Sequence, residues 1–181
     1  MTTVLGLLRP NLWVGSVAEI DADHLRANGI RGLILDLDET LVSALDHTPS
    51  PEVHAWIREM KQGAFEVYIV SNNFNAARVQ QVADELEVPC ACRAAKPRRR
   101  GFREALAVMG LRPQEVAIVG DQVFTDILGG NRLGAYTILA TPIAPEFKPW
   151  RKLMRVVEGI FMRDLDTIRH RVYSSDEKET P

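Results

Sequence analysis

Gly32-Leu33-Ile34-Leu35-Asp36-Leu37-Asp38-Glu39-Thr40 (GLILDLDET, residues 32–40) runs a short apolar stretch straight into two aspartates one residue apart. A stretch that is apolar at every position suits a strand covered on both faces, as in a parallel sheet. Alternation along an extended chain then puts Asp36 and Asp38 on one side, at the strand's carboxyl end. Open α/β sheets bind ligands outside those ends. Two carboxylates placed together repel unless a cation lies between them or one takes a proton. Together they can divide the labour of phosphoryl transfer, one attacking phosphorus and the other protonating the leaving oxygen. Taken alone, the segment is a moderate signal, and a capped turn ending a strand is the alternative.

Outward from this segment, short apolar runs alternate with helical patterns. The runs are 32–36, 65–70, 88–92, 115–119 and 135–140. The helices fall at about 22–28, from Ser50 and Pro51 to Gly63, at 76–86, at 102–108 before Gly110, and at 123–132 before Gly134. Serine or proline at the start and glycine past the end are the expected punctuation. Strand and helix in alternation predict an α/β fold: a central parallel sheet of about five strands with helices on both faces.

Three further segments follow predicted strands and so reach the same edge. Val70-Ser71-Asn72-Asn73 brings a hydroxyl and amides that can bind phosphoryl oxygens. Lys96-Pro97 brings a point charge that can neutralise a phosphoryl-transfer transition state. Gly120-Asp121-Gln122-Val123-Phe124-Thr125-Asp126 brings carboxylates, the hard oxygen ligands Mg²⁺ prefers. Each segment alone could be a cap or a solvated charge. Four in this order, each behind a strand, point to one site.

These four segments resemble the signature motifs of the haloacid dehalogenase (HAD) superfamily of phosphohydrolases, over about 33–134. The flanks, Leu8-Arg9-Pro10-Asn11-Leu12 with Ser16 and Ile20-Asp21, together with VSNN, AKPRRRGF and GDQVFTDILGGNRLG, resemble the YqeG-type subfamily IIIA phosphatases. That group includes relatives of the mitochondrial phosphatidylglycerophosphate phosphatases. The resemblance implies a Rossmann-like HAD fold, with Asp36 the nucleophile that forms an aspartyl-phosphate. It makes Asp38 the acid and base, and its backbone carbonyl a Mg²⁺ ligand. Thr40, Ser71, Asn72 and Lys96 would hold the phosphoryl group, with Lys96 also catalytic. Asp36, Asp121 and Asp126, the last directly or through water, would complete the Mg²⁺ site. Glu39 stands where the YqeG type carries Asn and is expected to matter little. Dehalogenases lack the second acid, so Asp38 favours a phosphate ester as substrate.

Spacing narrows that substrate. Thirty residues lie between Thr40 and Ser71, and Lys96 follows Ser71 by 25 positions. Each gap is used up by one helix and one strand, which leaves no room for a cap domain. An open site suits a bulky substrate or a headgroup at a membrane. Arg93, Lys96, Arg98, Arg99, Arg100 and Arg103 cluster beside it with no acidic residue between them. The cluster reads as a solvated loop, as a patch for polyanions, or as a grip by Arg98, Arg99 and Arg100 on a second substrate phosphate. Phosphatidylglycerophosphate, a terminal monoester beside an internal diester, is the favoured substrate, and an anionic phospholipid surface the favoured partner. A phosphatase of soluble metabolites or nucleotides, a protein phosphatase, and a non-catalytic nucleic-acid or membrane adaptor are the alternatives.

Composition sets the outer bounds. The chain has 181 residues, 46% hydrophobic and 25% charged, with a formal net charge of −2. That describes a single globular domain able to bury one sizeable core, and no global field calls for nucleic acid. No secretory signal and no apolar run of membrane-spanning length is present, so a cytoplasmic protein, peripheral at most on a membrane, is expected. Cys90 and Cys92 are too close in sequence for an unstrained bridge and read as free thiols. Residues 141–173 form a basic extension; from Phe147 to Arg171 it carries seven Lys or Arg against three Asp or Glu. Trp150, Leu153, Met154, Val157, Phe161, Leu165 and Ile168 lie on one helical stripe, which either packs on the core or meets lipid. Residues 174–181 are a polar tail.

Overall fold

The computed structural model describes residues 6–43, 45–46 and 48–144. The basic extension beyond Ala144 and the polar tail lie outside the described residues.

Six parallel strands make one sheet: β1 (Leu12–Val14), β2 (Gly32–Leu35), β3 (Glu66–Val70), β4 (Cys90–Ala91), β5 (Val116–Gly120) and β6 (Tyr136–Ala140). Their spatial order is β1-β6-β5-β2-β3-β4. Five were legible in the sequence. The sixth, β1, has only three residues and lies at an edge beside β6, too short to show a period. The helices are α1 (Ala22–Ala27), α2 (Pro51–Gln62), α3 (Ala76–Leu86), α4 (Arg100–Met109) and α5 (Leu128–Leu133). Ser50 caps α2 by accepting the Val53 N–H, with Pro51 in the first turn and Gly63 at the end, as the sequence pattern predicts.

Strand alternation sorts the core onto two faces. Leu33 and Leu35 of β2, Val67 and Ile69 of β3, and Ala117 and Val119 of β5 meet α1, α2 and α3 through Leu25, Trp56, Met60, Val79 and Val82. On the other face Ile34, Tyr68, Val70 and Ile118 meet Phe102, Ala105 and Leu106 of α4. Each large side chain buried this way contributes about 1.5–3 kcal/mol. Trp56 is buried, and its indole N–H donates to the Ile20 carbonyl (3.0 Å), which satisfies the group's one polar atom. Cys90 and Cys92 are free thiols.

The sheet order decides where a ligand can bind. From central β2 the chain moves outward to β3 and β4, then returns to place β5 on the other side of β2. The reversal opens a crevice between the carboxyl ends of β2 and β5, the position at which such sheets bind ligands. Between Thr40 and Ser71 the described residues form only a loop, α2 and β3; between Ser71 and Lys96 they form only a loop, α3 and β4. No cap domain is inserted among the described residues, as the spacing requires. None of their helices is long and apolar enough to cross a membrane.

The chain leaves β5 through a single π-helical turn, Val123–Ile127, before α5. The sequence pattern reads this stretch as ordinary helix. The wider turn folds the Asp126 carboxyl back beneath Gly120, where any Cβ would overlap it. Gly120→Ala is therefore expected to destabilise by about 1–3 kcal/mol, a drop of roughly 2–12 °C in Tm read by thermal unfolding. A Tm equal to wild type would show that the π turn yields without cost.

Candidate active site

Asp36 continues the β2 ladder, donating its N–H to the Val119 carbonyl on β5 (2.9 Å). Its side chain therefore starts from the rigid floor of the crevice. Leu37 turns the other way into the core. Its carbonyl accepts the N–H groups of Thr40 (3.3 Å), Leu41 (2.9 Å) and Val42 (3.1 Å), so the chain wraps tightly around it. This wrap is why two adjacent acids diverge in environment: Asp36 is buried, while the Asp38 side chain is 24% exposed.

At the centre lies Lys96. Its ammonium donates to Asp36 Oδ1 at 2.6 Å and pairs with Asp126 Oδ1 at 2.7 Å, all three side chains being buried. Burial by itself disfavours the ammonium; the charges of Asp126 and Asp36 outweigh that and hold Lys96 above its ordinary pKa. Burial likewise raises Asp36 above the usual carboxylate range, with Lys96 opposing the rise and Asp126 adding to it. Asn72 fixes the lysine through its backbone, accepting the Lys96 N–H (2.7 Å) and donating to the Lys96 carbonyl (3.2 Å). Both ends of the amide expected at the phosphoryl oxygens thus make a hydrogen bond to the Lys96 main chain.

Asp36, Asp121 and Asp126 are buried, with one carboxylate oxygen from each lying within 4.8 Å of the others. Lys96 pairs with two of these carboxylates, Asp36 and Asp126, and a divalent cation at this cluster would neutralise further buried negative charge. An all-oxygen donor set with this charge suits a hard ion such as Mg²⁺. Asp126 is itself oriented by the Thr125 hydroxyl, which donates to Oδ2 (3.0 Å).

Asp38 is gripped separately. Asn73 donates to its Oδ2 (2.8 Å) and Arg78 to its Oδ1 (3.0 Å). The Arg78 guanidinium also donates to the Ser43 carbonyl (3.0 Å) and to the Asp46 carbonyl, tying the loop after β2 to α3. Arg78 escaped the sequence reading, because a lone arginine in a helix looks like a solvated charge. Its only sequence signal is that it lies one turn inside the helix behind Val70-Ser71-Asn72-Asn73. Ser71 is buried and its hydroxyl accepts the Asn73 N–H (3.0 Å). The Thr40 hydroxyl is buried with no hydrogen-bond partner among the described residues.

Glu39 makes structural contacts of its own. It adopts a left-handed conformation (φ 64°), is buried, and accepts the Ala144 N–H at Oε2 (2.7 Å), while its carbonyl accepts the Ile143 N–H (3.1 Å). It therefore joins the turn after β2 to the chain after β6. Arg98, Arg99 and Arg100 are exposed, and Arg99 donates to the Arg132 carbonyl at the end of α5 (3.5 Å), leaving Arg98 and Arg100 as the freer pair.

The charge imbalance predicts a metal-dependent stability. Lys96→Met is expected to destabilise by about 3–5 kcal/mol in chelator, since it leaves the carboxylates facing one another. Mg²⁺ should then raise the variant's Tm by more than it raises that of wild type. Equal shifts in the two proteins, measured by calorimetry, would place the ion elsewhere.

Comparisons agree with this geometry. A family model described as mitochondrial PGP phosphatase matches residues 5–143. The probable phosphatase YqeG of Bacillus subtilis (strain 168) is 38% identical over 135 residues, covering 75% of this chain and 78% of that protein. Phosphatidylglycerophosphate phosphatase 1, chloroplastic/mitochondrial, of Arabidopsis thaliana is 27% identical over 164 residues, covering 85% of this chain but only 47% of the plant protein. Among solved structures, the cobalt-bound deoxy-D-mannose-octulosonate 8-phosphate phosphatase of Haemophilus influenzae shares the fold (TM-score 0.52, 12% identity, 75% of this chain and 89% of that one). So does an uncharacterised protein from Listeria monocytogenes (TM-score 0.55, 18% identity, 66% and 85%). With the motif order, the uncapped sheet and the buried acid–lysine cluster, these matches establish that the chain belongs to the mitochondrial PGP phosphatase family of HAD-type phosphatases.

Proposed function

We propose that this phosphatase hydrolyses the terminal phosphomonoester of phosphatidylglycerophosphate, with Mg²⁺ as cofactor, releasing phosphatidylglycerol and inorganic phosphate. The observation that carries the reading is an uncapped crevice with a buried nucleophile set, open to a headgroup that remains attached to a membrane. The name of the Arabidopsis thaliana relative, a phosphatidylglycerophosphate phosphatase, supports the substrate.

In this reading the Asp36 carboxylate attacks phosphorus. An oxygen–phosphorus bond forms as the bond to the glycerol oxygen breaks, and Asp38 gives that oxygen its proton. Asp38 then removes a proton from water, which attacks the aspartyl-phosphate and returns Asp36 as a carboxylate. Lys96, Ser71 and Thr40 stabilise the phosphoryl oxygens, with Lys96 held ready by Asn72. Asp36, Asp121, Asp126 and the Asp38 carbonyl would hold Mg²⁺, which when bound neutralises phosphoryl charge. Arg98 and Arg100, both exposed, would take the internal phosphodiester.

Phosphate release from phosphatidylglycerophosphate in mixed micelles, with Mg²⁺ or chelator and beside a panel of soluble esters, tests the reading. Release from the lipid well above every soluble ester, lost in chelator, is expected; turnover confined to soluble esters would overturn the substrate. Asp36→Asn should cut turnover by at least about 10³-fold with the fold intact by circular dichroism. Arg78→Gln should fall by roughly 10²-fold on alkyl phosphates but less than about tenfold on p-nitrophenyl phosphate, whose leaving group needs no proton. An equal fall on both would mean that Arg78 does not act through Asp38.

A further inference from the structure

Among the described residues four large hydrophobic side chains are well exposed: Leu45 (74%), Phe74 (78%), Val108 (62%) and Ile143 (52%). Isolated exposed apolar residues are ordinary. Three of these four are not isolated in the fold, since each sits on a loop leaving a carboxyl strand end, and each loop is bonded to the Asp38–Glu39 turn. Leu45 lies between Ser43 and Asp46, whose carbonyls both accept from Arg78, the same guanidinium that holds Asp38. Phe74 follows Asn73, which donates to Asp38 Oδ2. The Ile143 N–H donates to the Glu39 carbonyl.

The Phe74 corner is also basic. The Arg93 guanidinium donates through Nε and Nη2 to the Phe74 carbonyl (3.4 and 3.3 Å), and exposed Arg98 lies on the same loop as Lys96, with exposed Arg100 opening α4. Asp46 beside Leu45 is exposed and acidic, whereas Arg93 lies on the Phe74 side. Apolar side chains with arginines next to them match the boundary between acyl chains and anionic headgroups. The protein as a whole is slightly acidic, so its net charge does not draw it to such a surface and local positive charge has to do so.

We propose that Leu45, Phe74 and Ile143, with Arg93 beside them, form a rim that docks the open active site onto an anionic phospholipid surface. The inference rests on the reading of the substrate as a phospholipid. It gives that substrate a route: the crevice faces the headgroup layer, and the monoester enters without leaving the membrane.

Co-sedimentation of the full chain with phosphatidylglycerol–phosphatidylcholine vesicles, and with pure phosphatidylcholine vesicles, tests the rim. Wild type should partition to the anionic vesicles, and the Leu45→Ser/Phe74→Ser protein should partition about tenfold less. Phe74→Trp should partition at least as well as wild type, since indole favours the interface. Turnover of soluble p-nitrophenyl phosphate should stay within about twofold of wild type, because neither side chain touches the catalytic groups. Undiminished partition of the double serine variant overturns the proposal, as does absence of wild-type partition. Equal affinity of wild type for single-stranded RNA would mark a general polyanion surface and also overturn it. A short-chain, water-soluble phosphatidylglycerophosphate separates the two ideas. Its hydrolysis without vesicle binding would sink the rim alone, and vesicle binding without its hydrolysis would sink the substrate reading alone.

Discussion

One buried ammonium organises the site. Lys96 reaches between Asp36 and Asp126 at 2.6 and 2.7 Å, and without it three carboxylates would face one another in a medium that screens charge poorly. A buried charge is tolerated only when paired and hydrogen-bonded. Much of the surrounding architecture can be understood as meeting that requirement. Asn72 clamps the lysine's own peptide groups, Gly120 gives up a side chain so that Asp126 can fold beneath it, and the π turn supplies the curvature that brings Asp126 there. A π turn at a functional site is a familiar departure from regular helix, kept where a side chain must be re-aimed.

The second acid is treated differently, and the difference is chemical. Asp36 is sealed on the sheet floor with an ammonium against it, whereas Asp38 sits at the mouth, held by an amide and a guanidinium and still part-exposed. The proton exchange proposed for Asp38, with a leaving oxygen and with water, needs access to both. The fold supplies this by wrapping the chain once around the Leu37 carbonyl, so that neighbouring aspartates look onto different surroundings. The same turn, through Arg78, Asn73 and Glu39, gathers the loops after three strands around the opening.

The legible part of this molecule was the part written in local pattern. Five of the six strands fall on apolar runs, helix 51–62 shows with its punctuation of Ser50, Pro51 and Gly63, and helix 76–86 shows as a helical pattern. Asp36, Lys96, Asp121 and Asp126 could be gathered into one site because each follows a strand, and strand ends in a parallel sheet converge. What stayed hidden depends on partners distant in sequence. Arg78 is one arginine among many until α3 packs it over Asp38. Asn72 offers an amide whose engagement with Lys96, 24 residues away, cannot be seen in a linear reading. Glu39 looked incidental because its backbone angle and its bond to Ala144 both depend on the chain after β6.

By itself the sequence determined the chemistry available and the edge at which it would collect. Residue types at fixed offsets from apolar runs dictate which groups leave which strand ends, and alternation dictates which side of the sheet each faces. Only the tertiary structure decided how those groups divide their work. Whether a carboxylate is sealed or open, and whether an amide meets substrate or backbone, is set by what packs against it. That packing is a sum of contacts between segments brought together by the crossovers of the sheet, and no single stretch of the chain contains it.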